Sequence, residues 1–268
     1  MAARTAQGAP TPLARLSHAS GLLPGFEGGD GGPVVHVVGP VERSAGGLPG
    51  LAWLGSESLT TNGQSLLLRV DYGRCRILLT GDLNQASQQA LMQHYEGDED
   101  IFACDVAKCC HHGSEDVSFA FLQAMKPAAT IISSGDAEGH DHPRPRIVAA
   151  SGLTGYQTFR NDQLLTPLVY STEIARSLQL GEIKRVAQRG GASFQGAALN
   201  DLTAHIEVRK PGQLRPAQQQ RRLGGRRHLV AGLVYGLVNV RTDGRTVLCA
   251  TLNEGDGSWT IKTFKARF

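Results

Sequence analysis

Short apolar runs alternate with polar, glycine-punctuated stretches from residue 34 onward. PVVHVVGP (33–40) is a valine-rich run closed by Gly-Pro, which predicts a short buried strand. SLLLRVDYGRCRILLTGD holds two further runs, 65–71 and 75–80, joined at Tyr72-Gly73, and predicts a hairpin. From Asn84 to His94, Leu91 and Met92 sit among polar residues, as on a helix. Asp105 to Cys110 predicts a strand, Val117 to Met125 a helix and Ala129 to Ser134 a strand. Ile147 to Ala150 falls on a helix that starts near the prolines. From residue 65 the order is strand, strand, helix, strand, helix, strand, helix, which predicts a layered α/β domain. Residues 1–33, rich in Gly, Pro and Ala, predict an irregular start, and the glycine-rich stretch up to Thr61 predicts a connection.

Past Gly155 the pattern changes. STEIARSLQL (171–180) predicts a short helix capped by Ser171 or Thr172, with Glu173 in its first turn. The final forty residues hold three β-like runs, 229–241, 245–251 and 258–264, separated by Asp243-Gly244 and Gly255-Asp256-Gly257, which predicts an antiparallel meander. The expected divisions are an irregular start (1–33), an α/β core (34–155), an extension (156–228) and the meander (229–268).

Composition narrows the classes. A chain of 268 residues with 41% hydrophobic and 19% charged residues can bury a full core. No apolar run approaches the ~20 residues of a membrane span, and the opening lacks the apolar stretch of a signal peptide. The expectation is a cytoplasmic protein with no membrane partner. Cys75, Cys104, Cys109, Cys110 and Cys249 are odd in number and irregular in spacing, unlike a disulfide framework. Buried reduced thiols are the ordinary reading. A zinc knuckle in CDVAKCCHH would need a second half-site that the sequence does not supply. The net charge of +3 decides nothing, but Arg209, Lys210, Arg215, Arg221, Arg222, Arg226 and Arg227 fall together with no acidic residue between them. This segment reads as a solvated loop able to touch phosphates. It lacks interleaved aromatics, so base stacking is not indicated.

Candidate chemistry sits where apolar runs end. Thr80-Gly81-Asp82 closes one run, and an isolated Asp there reads first as a cap for the following helix. His111-His112-Gly113-Ser114 closes the next, and His140 and His142 follow a third, in a polar loop. A core histidine is normally single and flanked by apolar residues. Three strand ends offering Asp, His-His and His-x-His present the donors that a divalent metal prefers.

The motifs N-G-Q-S-L-L-L-R-V (62–70), Y-G (72–73), L-L-T-G-D-L (78–83), H-H-G-S (111–114) and I-I-S-S-G…H-D-H-P (131–143) resemble the metallo-β-lactamase superfamily. The branch they resemble most is the metallo-hydrolase domain of ComEC-type DNA-uptake channel proteins. The resemblance covers residues 34–150. It implies an αβ/βα sandwich with up to two divalent ions, zinc or manganese, and hydrolysis of a phosphodiester or nucleic acid by metal-bound water. It assigns Asp82 and His111 as metal ligands, with His112 as the alternate. His142 would lie over the substrate, and Ser114 with the Gly113 N–H would hold a phosphoryl oxygen.

One departure qualifies that assignment. The H-x-H-x-D-H motif, which supplies most first-half ligands in the superfamily, is absent, since His18 and His36 stand alone. The Asn62-Gly63-Gln64 region occupies a position where many relatives carry a further histidine. The fold is therefore expected to be incomplete at its N-terminal side, exposing a sheet face to a missing half or a second copy. The alternative is a degenerate, non-catalytic binding module.

Overall fold

The computed structural model describes residues 14–135, 142–172, 180–182, 185–208, 217–222, 228–230, 236–252 and 257–268. Its centre is a seven-stranded sheet whose strands follow one another in chain order: β1 (Leu22–Glu27), β2 (Val34–Gly39), β3 (Leu67–Tyr72), β4 (Cys75–Leu79), β5 (Val106–Lys108), β6 (Ala129–Ile132) and β7 (Leu168–Ser171). The pairings from β1 to β4 are antiparallel, and those from β4 to β7 are parallel. Parallel neighbours need crossovers. These are carried by the helices α2 (Gln85–His94), α3 (Phe119–Met125) and α4 (Pro145–Thr154), after a short α1 (Glu57–Gly63) that precedes β3.

Each helix begins where its sequence supplies a stop for orphan N–H groups. Asn84 accepts from the Ser87 N–H, and its amide donates to the Leu59 carbonyl at 2.7 Å, which ties α1 to α2. Ser118 accepts from the Phe121 N–H, and Pro145 opens α4 at a position with no N–H to lose. One sheet face, with Leu67, Leu78 and Ala107, packs on Leu83, Leu91, Phe102, Phe121 and Met125 from the helical connections. The Phe102 and Phe121 rings meet edge to face at 5.0 Å.

The opposite face has a different cover. Strand alternation turns Cys75 and Ile77 of β4, Val106 of β5 and Ala129 of β6 away from the helices. Onto them pack Val247, Cys249 and Phe264 from an antiparallel meander of β8 (Val238–Thr242), β9 (Thr246–Leu252) and β10 (Trp259–Lys265). The two layers touch at their turns. Gly73 (φ 57°) lies so close to Gly244 that a Cβ would come within 2.7 Å of the Gly244 oxygen. The cover is partial, for Leu79 at the far end of β4 remains 40% exposed. The half-fold was expected to expose one face of its sheet. Instead, the meander takes much of it.

Other expectations are corrected. The irregular start contains β1, an edge strand paired to β2 only at Leu22 and Glu27, with an irregularity between them and little burial. No apolar alternation marks it because it hides no side-chain face. The connection up to Thr61 holds a hairpin (Glu42–Ala45 with Leu48–Leu51) and α1, whose cap Ser56 accepts from the Leu59 N–H. Of the helix expected at 171–180, Ser171 ends β7, and 173–179 lie outside the described residues. Within the basic segment, Ala217–Arg222 pair as a strand with Thr203–Val208, while 209–216 and 223–227 lie outside the described residues. Among the described residues, no helix is long and apolar enough to cross a membrane.

All five cysteines are buried. Burial pushes the thiols of Cys75 and Cys110 up to about 11, those of Cys109 and Cys249 to about 12, and that of Cys104 higher still. A thiol at neutral pH is then both inaccessible and protonated. A disulfide reagent is expected to titrate none of them in the native protein and all five in concentrated guanidinium; rapid native labelling would contradict this packing.

Candidate functional site

The parallel strands stop at one end of the sheet, and the predicted site residues sit on the turns they enter. After β4, Gly81 has φ 55°, and a Cβ there would lie 2.6 Å from the Ser65 Cβ, so the turn tolerates glycine alone. That turn directs the Asp82 N–H to Ser65 Oγ at 3.0 Å. Thr80 Oγ1 donates to the Lys108 carbonyl at 2.8 Å and binds the ends of β4 and β5 together.

After β5 the backbone enters the left-handed region three times in succession, at His111 (φ 45°), His112 (φ 53°) and Gly113 (φ 84°). For each histidine this conformation costs about 1–2 kcal/mol. Neighbouring bonds hold it in place. The His111 N–H donates to the Gly81 carbonyl, the Ser114 N–H to the His111 carbonyl, and the Arg144 N–H to the Gly113 carbonyl. Such strain is kept where the surroundings impose it, and it is enriched at sites that do something.

The turn separates the two imidazoles. His112 Nδ1 lies 2.6 Å from the Ser133 carbonyl, which can only accept, so Nδ1 carries the proton. Its Nε2 faces Asp82 Oδ1 at 3.4 Å. His111 turns instead towards Asn62, with Nε2 3.3 Å from the amide nitrogen. With the amide in that orientation, His111 Nε2 accepts and Nδ1 bears the proton. That Nδ1 is buried and meets no hydrogen-bond partner among the described residues. The ring of the buried His142 lies 6.0 Å from that of His111. One cluster thus runs from Asp82 through His112 and His111 to His142, while His140 lies outside the described residues.

Two neighbours were not singled out from the sequence. Asn62 belongs to a stretch noted only for what it replaces, yet its side chain meets His111. Lys108 ends β5 and extends its ammonium to Asp82 Oδ1 at 3.7 Å, and both side chains are partly exposed. Such a pair contributes at most ~1 kcal/mol to stability, so its importance lies in where it holds the carboxylate. The signal for Lys108 was a lysine interrupting an apolar strand run. The Gly113 N–H is directed at the Cys109 sulfur, and Ser114 Oγ accepts from the Asp116 N–H at 3.2 Å, which leaves its O–H to donate.

These donors do not by themselves fit a metal ion. Among the described residues, no group of three or more His, Cys, Asp or Glu side chains is placed to share one cation. Asp82 sits with one imidazole and an ammonium, while His111 is engaged by an amide.

No protein-family model and no solved structure matches the chain. Competence protein ComA of Neisseria gonorrhoeae is 32% identical over 107 residues, which make up 40% of this chain and 15% of that protein. ComE operon protein 3 of Bacillus subtilis (strain 168) is 30% identical over 103 residues, or 38% of this chain and 13% of that protein. The chain is therefore similar, over about two-fifths of its length, to a small part of much longer competence proteins.

Proposed function

We propose that this chain is a metallo-β-lactamase-like module that engages a phosphodiester, in the first instance single-stranded nucleic acid, at the end of its sheet. Its described residues do not by themselves supply a complete hydrolytic centre. The observation behind this reading is the convergence of Asp82, Lys108, His111, His112 and His142 from separate strand ends. Lys108 supplies a charged donor for phosphoryl oxygens, His112 and His142 line the approach to it, and Asp82 positions Lys108 and His112. The relatives are named for competence, and a role connected with DNA uptake is the reading those names favour. The basic residues between Arg209 and Arg227 suit a polyanion as well.

With further donors from another polypeptide segment or a second copy, Asp82 and His111 would help hold a zinc or manganese ion, which would supply water activation for hydrolysis. With the residues described, the expected behaviour is binding without turnover. Fluorescence anisotropy with a labelled single-stranded oligonucleotide tests this. Affinity should fall as salt rises, with a logarithmic slope of about −0.7 per phosphate contact. His112→Ala and His142→Ala should each weaken binding about tenfold, a loss of ~1.4 kcal/mol. Binding indifferent to both substitutions would remove the site assignment. Manganese-dependent cleavage by this chain alone would overturn the absence of turnover.

A further inference from the structure

The Lys108 side chain is placed as a cation in its own binding site. β5 delivers it from beside the buried Val106 and Ala107, and it bends over the end of β4. There the ammonium donates to the Gly81 carbonyl at 2.9 Å and the Cys109 carbonyl at 3.2 Å, with Asp82 Oδ1 at 3.7 Å. Two of the ammonium's three donors are thus engaged by carbonyls, and the carboxylate is its ion-pair partner. Both carbonyls belong to the turns that shape the cluster: Gly81, whose carbonyl also receives the His111 N–H, and Cys109, which leads into the left-handed histidines.

We propose that Lys108 is the resident cation of this pocket: its ammonium neutralises Asp82 and keeps divalent metal from binding there. An ion approaching Asp82 would have to accept a positive charge a few ångströms away or displace it from the carbonyls that hold it. The donor shortage and the lysine therefore act in the same direction. This inference deepens the reading of the strand-end cluster as a metallo-hydrolase-type pocket, but it is tested by metal affinity alone.

The experiment is calorimetric titration of the full chain with manganese and with zinc. Lys108→Gln keeps amide donors for the Gly81 and Cys109 carbonyls but removes the charge, and it should bind at least tenfold more tightly than the unmodified chain. Lys108→Arg keeps the charge and should show no gain. Adding Asp82→Asn to Lys108→Gln should cancel the gain, which a purely structural role of the lysine would not produce. Affinity unchanged in Lys108→Gln, or a gain that survives Asp82→Asn, overturns the proposal. Should Lys108→Gln lose its circular dichroism, Lys108→Met replaces it. Asp82→Asn alone gives a reading that needs no lysine variant. It should leave the metal affinity of the unmodified chain within about twofold, and a tenfold loss would show that metal already uses this carboxylate. A rise in metal affinity without oligonucleotide binding would reject the proposed function and keep this inference; the converse result would do the reverse.

Discussion

Arg267→Met is expected to lower the stability of the folded chain by about 3 kcal/mol, read from the midpoint of urea unfolding. The Asp105 carboxylate at the start of β5 is wholly buried. It accepts from the Arg76 N–H at 3.0 Å, the Arg267 N–H at 3.2 Å and Arg267 Nε at 3.0 Å. The same guanidinium donates to the Cys104 carbonyl and lies over the rings of Tyr156 and Phe268, 4.3 and 4.9 Å from their centroids. Truncation leaves a buried carboxylate with two backbone amides as its compensation, and an unpaired interior charge is among the most destabilising changes known. Because those amides remain, the expected loss lies at the lower end of the usual range. Adding Asp105→Asn should recover most of it, since the charge disappears with its partner. A midpoint equivalent to less than ~1 kcal/mol below the parent would show that the amides and the aromatic stack suffice.

Gly113→Ala is expected to cost a similar amount, about 2–4 kcal/mol, and to reduce oligonucleotide affinity as well. Gly113 has φ 84°, and an added Cβ would lie 2.7 Å from the Pro143 Cβ and 3.0 Å from its Cα. A proline ring cannot swing aside, so the segment behind His142 must move or the turn after His112 must open. Both routes alter the 6.0 Å approach of the His142 ring to that of His111. The proposed site thus predicts that stability and binding fall together. A Gly113→Ala protein that is destabilised yet binds like the parent would separate His142 from the site.

Sequence patterning made the centre of the sheet legible for a physical reason. The β3–β4 hairpin and the parallel strands carry the core residues Leu67, Cys75, Leu78, Val106, Ala107 and Ala129, so their apolar runs are dictated by packing, and Gly73 and Gly81 mark the turns by steric need. The edge strand β1 and the Glu42–Leu51 hairpin hide little side-chain surface and left no pattern to read. The chemistry divides in the same way. Asp82, His111, His112 and His142 stood out as polar residues at the ends of apolar runs. The partners that decide what they can do were invisible, because those contacts come from pairing and turn geometry. Lys108 reaches back over 27 positions to Gly81, and Asn62 crosses 49 to His111. Arg267 meets Asp105 across 162 positions, a contact that only the docked meander creates.

The coverage of the second sheet face also limits assembly. A sandwich is completed by laying another sheet on this one, but Val247, Cys249 and Phe264 already fill the floor formed by Cys75, Val106 and Ala129. Among the described residues, an incoming polypeptide finds open ground around Leu79, beside the Asp82 turn, but the centre of the face is free only if the meander strands are evicted. Adding a further sheet layer would then be an exchange of one layer for another. The arginine near the chain's end would act as the latch, and the first cost of that exchange would be a stranded carboxylate at Asp105.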